Sequence, residues 1–303
     1  MISPRSCKEL SDRVTLSRVL SLAESNPAEV LVELSSCLPR EPRAVVVGVT
    51  GPQGVGKSTI ISSLVRELND GRRRVAALLV DPLSPLTGGA VLGNRLRMPE
   101  LPDSAFARSV WAEDERALPL RAIASLEILE AAGYDYILVE TPGAGQVNTS
   151  VLRVSDLVLV VLMPFLGDEV QVIKAGMMEV GDIYVVNKAD VPEADLMYGY
   201  VKSLVKEKPV VKVSALYRKN LRELVETMDA EVSRKDREGE RVRKRFERRK
   251  YLVEEALLEE LQHKIREELK EVNYHDLLSK PETLPETIRG LKTKLSKKLL
   301  EGP

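Results

Sequence analysis

Eight consecutive residues, Gly51-Pro52-Gln53-Gly54-Val55-Gly56-Lys57-Ser58, constrain this chain more than any others. They match GxxxxGK[ST] in full and lie between an apolar run, AVVVGVT at 44–50, and a helical pattern over Thr59 to Leu68. Strand, loop and helix in that order are the context a phosphate-binding P-loop requires. The glycines let successive backbone N–H groups converge on phosphate oxygens. The helix start adds the positive end of its dipole. Lys57 is expected to reach the β- and γ-phosphates of a nucleoside triphosphate, the Ser58 hydroxyl to ligate Mg²⁺, and Thr59 to close the cradle.

The rest of the chain supplies a sheet for such a loop. VAALLVD at 75–81, YILVET at 136–141, LVLVVLM at 157–163, IYVVNK at 183–188 and the weaker PVVKVSA at 209–215 are short apolar runs. Runs of this kind suit strands buried on both faces. Helical patterns separate them at 118–131 and 170–179. Alternation of this kind predicts an α/β fold, a doubly wound, mainly parallel sheet flanked by helices, over residues 43–232. Residues 1–42 read as an N-terminal helical extension with a break near Ser25-Asn26-Pro27. Residues 233–303 are charge-dense and without strands, and read as a C-terminal helical arm, broken at Pro281 to Pro285, that serves dimerisation or packs back on the domain. The basic run RVRKRFERRK at 241–250 is expected to be a solvated helix face, since acidic residues flank it.

Three further segments carry chemistry. Asn187-Lys188-Ala189-Asp190 follows a late apolar strand and looks like the NKxD guanine-recognition motif. The Asp190 carboxylate can accept both N1–H and N2–H of guanine, whereas adenine would leave it underpaired. Lys188 would lay its stem along the base and Asn187 would tie this loop to the P-loop. Ser214-Ala215 resembles the companion loop, with the Ala215 N–H meeting guanine O6. In YILVETPGAGQ the strand ends in an acid, Glu140, at the position that supports Mg²⁺ through water, and Gly143 would give its N–H to the γ-phosphate. Asp81 ends the second strand on the side where open α/β sheets bind ligands, and would hold a Mg²⁺ water or orient the attacking one. Gln146 and Arg108 are the candidates for a water-positioning group and an arginine finger.

Composition removes other classes. A net charge of -1 gives no global field for nucleic acid or membrane. No stretch approaches the roughly 20 apolar residues that span a bilayer. The polar N-terminus lacks the apolar run of a signal peptide, so a cytoplasmic location is expected. Cys7 and Cys37 are expected as buried structural thiols, and neither they nor His263 and His275 form a soft-metal cluster.

Together, GPQGVGKST, VDPLSPLTGGAVLGNRLRM (80–98), VETPGAGQ, GDEVQVIKAGMMEVGD (167–182) and VVNKAD resemble the methylmalonyl-CoA mutase-associated GTPases, the MeaB/ArgK group, over residues 44–230. The resemblance implies a homodimeric, Mg²⁺-dependent GTP/GDP-binding protein with slow GTPase activity. It would be a chaperone gating cofactor loading of an adenosylcobalamin-dependent acyl-CoA mutase. It also implies a partner-responsive switch containing Asp168, Glu169, Gln171 and Lys174. The sequence departs from the family at Asn94, where an Asp is usual, at Val147 and Asn148, and in VWAEDERALP at 110–119. The alternatives are a nickel-delivery GTPase, which would need His or Cys clusters, and a nucleotide-dependent switch with another client. A protein kinase would need a catalytic loop such as HRDxxxxN, and none is present.

Overall fold

The structure is a computed structural model that describes residues 7–69, 73–82, 102, 104–112, 118–140, 149–164 and 177–300. Seven strands form one parallel sheet: β1 Val45–Thr50, β2 Val75–Pro82, β3 Phe106–Ala112, β4 Tyr136–Glu140, β5 Leu157–Leu162, β6 Ile183–Val186 and β7 Val210–Lys212. Their order is β3-β2-β4-β1-β5-β6-β7. Winding runs one way from β1 to β3 and then reverses from β4 to β7. The reversal beside β1 opens a crevice at the carboxyl ends of the strands, where α/β sheets bind ligands.

All six residues of β1 are buried, which requires helices on both faces. Side chains alternate accordingly. Val46, Leu78, Val80, Ile137 and Val139 pack under α1 (Arg13–Ser25), α2 (Pro27–Glu33) and α4 (Leu120–Ala131). Val47, Val49, Ala77, Leu79 and Leu138 pack under α3 (Lys57–Leu68) and, further along the chain, α8 (Leu221–Arg237). Between these lie α5 (Thr149–Val154), α6 (Met177–Val180) and α7 (Glu193–Val205). The expected break between the first helices falls at Asn26, followed by Pro27 as the first residue of α2, where a missing N–H costs nothing.

Strand β3 is absent from the sequence expectation. It carries Arg108 and Ser109 in its middle and is only intermittently buried, because it is the edge strand beyond β2. One face of an edge strand meets solvent, so its apolar run is broken.

The chain divides into two compact units, Met1–Leu252 and Val253–Pro303. The long helix α9 (Glu240–Lys270) contributes to both, and α10 (Tyr274–Ser279) and α11 (Leu284–Leu300) belong to the second. Within the first unit the basic run is only in part the solvated face expected: Arg243 and Lys250 are exposed, whereas three of its arginines are buried. Arg241, Arg245 and Arg248 are 6%, 4% and 1% exposed. Arg245 forks onto Glu130. Arg248 donates to Glu127 at 2.9 Å and Glu130 at 3.1 Å, and Arg249 to Glu127 at 3.1 Å. Both glutamates lie on α4, a helix otherwise lined with buried apolar residues. The root of β1 enters the same layer. Glu130 accepts from the backbone of Arg43 and Ala44, Asp156 accepts from Val46 N–H at 2.8 Å, and Arg241 donates to the Ala44 carbonyl at 2.7 Å. Charges buried this deeply persist only when paired and hydrogen-bonded.

The cysteines are a second correction. Cys7 and Cys37 are not separate buried thiols but a disulfide closing 30 residues of separation, with Cys7 exposed. It joins the 3₁₀ turns Cys7–Ser11 and Ser35–Cys37 that bracket α1 and α2. On the chain-entropy argument a loop of this size constrains the unfolded state by roughly 3–4 kcal/mol. Two Cys in helical patterns show no sign of their meeting in space, which depends on how α1 folds back on α2.

Candidate nucleotide site

Strand β1 delivers the P-loop to the crevice, and two glycines show why the loop has its composition. Gly51 has φ 146°, and a Cβ there would lie 2.2 Å from the Val161 carbonyl oxygen. Gly56 has φ 94°, and a Cβ would lie 2.5 Å from Asn187 Nδ2. Only glycine accepts both the dihedral and the approach. Pro52, Gln53, Gly54 and Val55 complete the loop, with Gln53 and Gly54 exposed and Val55 buried. Gly56 also caps α3 without a side-chain cap hydrogen bond, and a helix N-terminus of this kind suits an anion. Thr59, in the first turn, is exposed.

Lys57 is 7% exposed, and its Nζ donates to the carbonyls of Gly51 at 2.9 Å and Pro52 at 3.0 Å. Burial holds its ammonium below the usual lysine pKa, while the Glu140 carboxylate pulls the other way. The Ser58 hydroxyl donates to Glu140 Oε1 at 2.6 Å. Glu140 and Asp81 are 8% and 3% exposed. Glu140 pairs in register with Leu79 of β2, so Asp81 stands two residues further toward the carboxyl edge of the neighbouring strand. A hydroxyl and two buried carboxylates form an oxygen-only donor set, which suits a hard cation such as Mg²⁺. Ser58, Asp81 and Glu140 are therefore the residues that would hold it, directly or through water.

The guanine-type loop is wired to the phosphate loop by one side chain. Asn187 Nδ2 donates to the Val55 carbonyl at 2.8 Å, and its Oδ1 accepts from Ala215 N–H at 3.1 Å. The Ala215 amide, expected to serve guanine O6, is thus also engaged by Asn187. Ser214 hydroxyl donates to Asp190 Oδ1 at 2.5 Å, a bond that orients the carboxylate. Lys188 sits at φ 60° with its Nζ bonded to Met163 Sδ at 3.0 Å. Ser63, on α3, donates to the Ala215 carbonyl at 3.0 Å. Met163 and Ser63 were not legible as site residues: one looks like strand core and the other like helix surface.

Arg108 is corrected as an arginine finger. Its guanidinium pairs with Glu24 at 2.6 Å and donates to the Ser17 carbonyl and the Ser21 hydroxyl of α1. Gly143, Gln146, Asn94, Asp168, Glu169, Gln171 and Lys174, together with Val147 and Asn148, lie outside the described residues.

The P-loop, the oxygen donors beside it and the Asn187 bridge are those of a guanine-nucleotide P-loop fold. A family model described as methylmalonyl Co-A mutase-associated GTPase MeaB matches residues 16–270. The chain belongs to the MeaB family of GTPases. A protein of Pyrococcus horikoshii named as a GTPase is 40% identical over 190 residues, covering 62% of this chain and 60% of that one. The chain thus spans less than two thirds of that relative's length. The Caenorhabditis elegans methylmalonic aciduria type A homolog, mitochondrial, is 43% identical over 148 residues, 48% of this chain and 37% of that one. A solved structure described as a LAO/AO transport system kinase superimposes with a TM-score of 0.64 at 24% identity, covering 96% of each chain, and shows the shared fold. Among the described residues of this MeaB family member, no helix is long and apolar enough to cross a membrane.

Proposed function

We propose that this MeaB family member binds GTP and GDP with Mg²⁺ and hydrolyses GTP slowly. Its nucleotide cycle would gate cofactor loading of an adenosylcobalamin-dependent acyl-CoA mutase of the methylmalonyl-CoA type. The observation that carries the nucleotide part is Asn187, which joins the Asp190 loop to the P-loop carbonyl of Val55. Base identity and phosphate state then bear on one rigid assembly. Lys57, Asp81 and Glu140 are the proposed catalytic residues, and Gly143 the γ-phosphate sensor. The guanine residues are Asn187, Lys188, Asp190, Ser214 and Ala215. Slow turnover fits the engagement of Arg108 by Glu24, which leaves transition-state charge without that cation.

The client is supported by the family description and by the name of the Caenorhabditis elegans relative. A homodimer with an N-terminal extension at 1–42, a GTPase domain at 43–232 and a helical arm at 233–303 is the organisation we propose for it, in the cytoplasm. Nucleic acid is disfavoured as a partner because three arginines of the basic run at 241–250, Arg245, Arg248 and Arg249, are committed to Glu127 and Glu130.

Steady-state hydrolysis of GTP and ATP, with and without the cobalamin-dependent mutase of the same genome, tests this. The expected result is GTP-selective turnover accelerated by the mutase. GTP-selective turnover indifferent to the mutase would remove the client, and equal use of ATP would remove the guanine assignment.

A further inference from the structure

Strand β3 carries the one tryptophan of the chain, Trp111, one residue before its end. Its register puts that residue beside the cation-holding carboxylates. Asp81 of β2 pairs with Trp111, one step beyond the Val80–Val110 pair. Partners in register project from the same face of a sheet, and successive residues from opposite faces. Val80 and Val110 both enter the core under α4. Asp81 and Trp111 therefore project from the other face, the one that packs under α3, the helix that carries Ser58. Adjacent strands lie about 4.8 Å apart, so indole and carboxylate are neighbours along the sheet.

The indole is also held. Arg121, in the first turn of α4, places its guanidinium carbon 3.4 Å from the centre of the Trp111 ring. Indole is the best of the aromatic rings for stacking such a cation. The chain entering α4 is fixed in turn by the Leu118 N–H, which donates to the Ser150 hydroxyl at 2.7 Å. An aromatic cover on an edge strand needs no further role. Here, however, β3 is all of the sheet that lies outside β2, and Asp81 is nonetheless 3% exposed. Trp111, half-buried, stands on that outer side. It lies in the 110–119 segment, where the sequence departs from its family.

We propose that Trp111, braced by Arg121, walls the outer side of the Mg²⁺ site at Asp81 and thereby sets the affinity of that site for the ion. This rests on the Mg²⁺ reading of Ser58, Asp81 and Glu140 above. Trp111 acts through Asp81, as a positioning residue. Excluding water from one side of the carboxylate lowers the local polarity, which strengthens its attraction for a cation. It also limits the directions in which the carboxylate can point.

Calorimetric titration of Mg²⁺ into the GDP-saturated full chain tests this, alongside GDP affinity measured in EDTA. Trp111→Ala is expected to weaken Mg²⁺ binding roughly tenfold while GDP affinity in EDTA stays within about twofold. Trp111→Phe keeps an apolar cover and is expected to stay within about threefold of wild type for Mg²⁺. Arg121→Gln leaves the ring unbraced and is expected to weaken Mg²⁺ roughly threefold. In wild type, Mg²⁺ is expected to change the fluorescence emission of Trp111, and Asp81→Asn to abolish both that change and tight Mg²⁺ binding. Unchanged Mg²⁺ affinity in Trp111→Ala overturns the proposal, as does a parallel loss of GDP affinity in EDTA, which would mark a merely structural role. Should Trp111→Ala fail to fold, emission decides: a wild-type signal indifferent to Mg²⁺ overturns the placement. Wild-type affinity in Arg121→Gln removes the brace. Mg²⁺ affinity unchanged in Asp81→Asn would instead overturn Asp81 as a holder of the ion, the reading on which the wall rests.

Discussion

Lys57→Ala is expected to abolish GTP hydrolysis, lowering the single-turnover rate by about three orders of magnitude or more. That corresponds to roughly 4 kcal/mol of transition-state stabilisation. The Lys57 side chain lies in the P-loop, hydrogen-bonded to the Gly51 and Pro52 carbonyls. Both are neutral acceptors that a phosphate would outcompete, since its negative charge adds ion-pair attraction to the hydrogen bond. The burial that depresses its pKa means its charge is already partly desolvated. Less hydration therefore has to be stripped when phosphate charge develops beside it. Phosphate formation with enzyme in excess over GTP measures the effect. Lys57→Arg should recover little, because the guanidinium is larger than the space a fully packed lysine occupies. Hydrolysis within tenfold of wild type in Lys57→Ala would show that the phosphate cradle works without this cation.

Arg248→Ala is expected to cost about 3–5 kcal/mol of stability, seen as a melting temperature lower by roughly 10 °C. Arg248 is fully enclosed and donates to Glu127, Glu130 and the Val154 carbonyl. Its removal leaves buried carboxylates short of a cation, which is the costly direction of change. The pH profile carries the sign. Burial alone would raise the Glu127 carboxyl, but Arg248, Arg245 and Arg249 together hold it below the usual range. Its contribution is therefore full above the unfolded glutamate pKa of about 4.3, and is lost as pH falls through the lower folded value. Asp156 moves the other way: burial raises it above the usual aspartate value despite Arg248 and the Val46 N–H. Ionising Asp156 in the folded state thus offsets part of the gain as pH rises. Thermal melts from pH 3 to 7 should show wild type losing stability in acid, with the Arg248→Ala penalty shrinking there as Glu127 is neutralised. A penalty constant across that range would mean that lost packing, not charge pairing, is what the substitution removes.

Much of this protein was legible because its information is local. The P-loop needs three glycines, a lysine and a serine in consecutive positions, and Asn187 to Asp190 needs only a preceding strand. Both motifs are set by backbone conformations a few residues long, and fully buried strands announce themselves as apolar runs. The residues between those signals were decided elsewhere. Edge strand β3 was missed because half-exposure breaks its apolar run. Arg245, Arg248 and Arg249 of α9 looked like a solvated face because their partners, Glu127 and Glu130, are 115–122 residues away in sequence. Those glutamates sit in a helix whose other buried positions are mostly apolar. Arg108 looked free until α1 supplied Glu24, and two cysteines 30 residues apart became a pair only when their turns met. The sequence alone determined the class of fold and the family, since the motifs that carry them follow from short-range backbone geometry. Tertiary structure alone decided which charges are buried, which arginine is engaged and which side chains brace the base loop. Each of those depends on a partner brought close by the packing of whole elements, and no local pattern encodes that proximity.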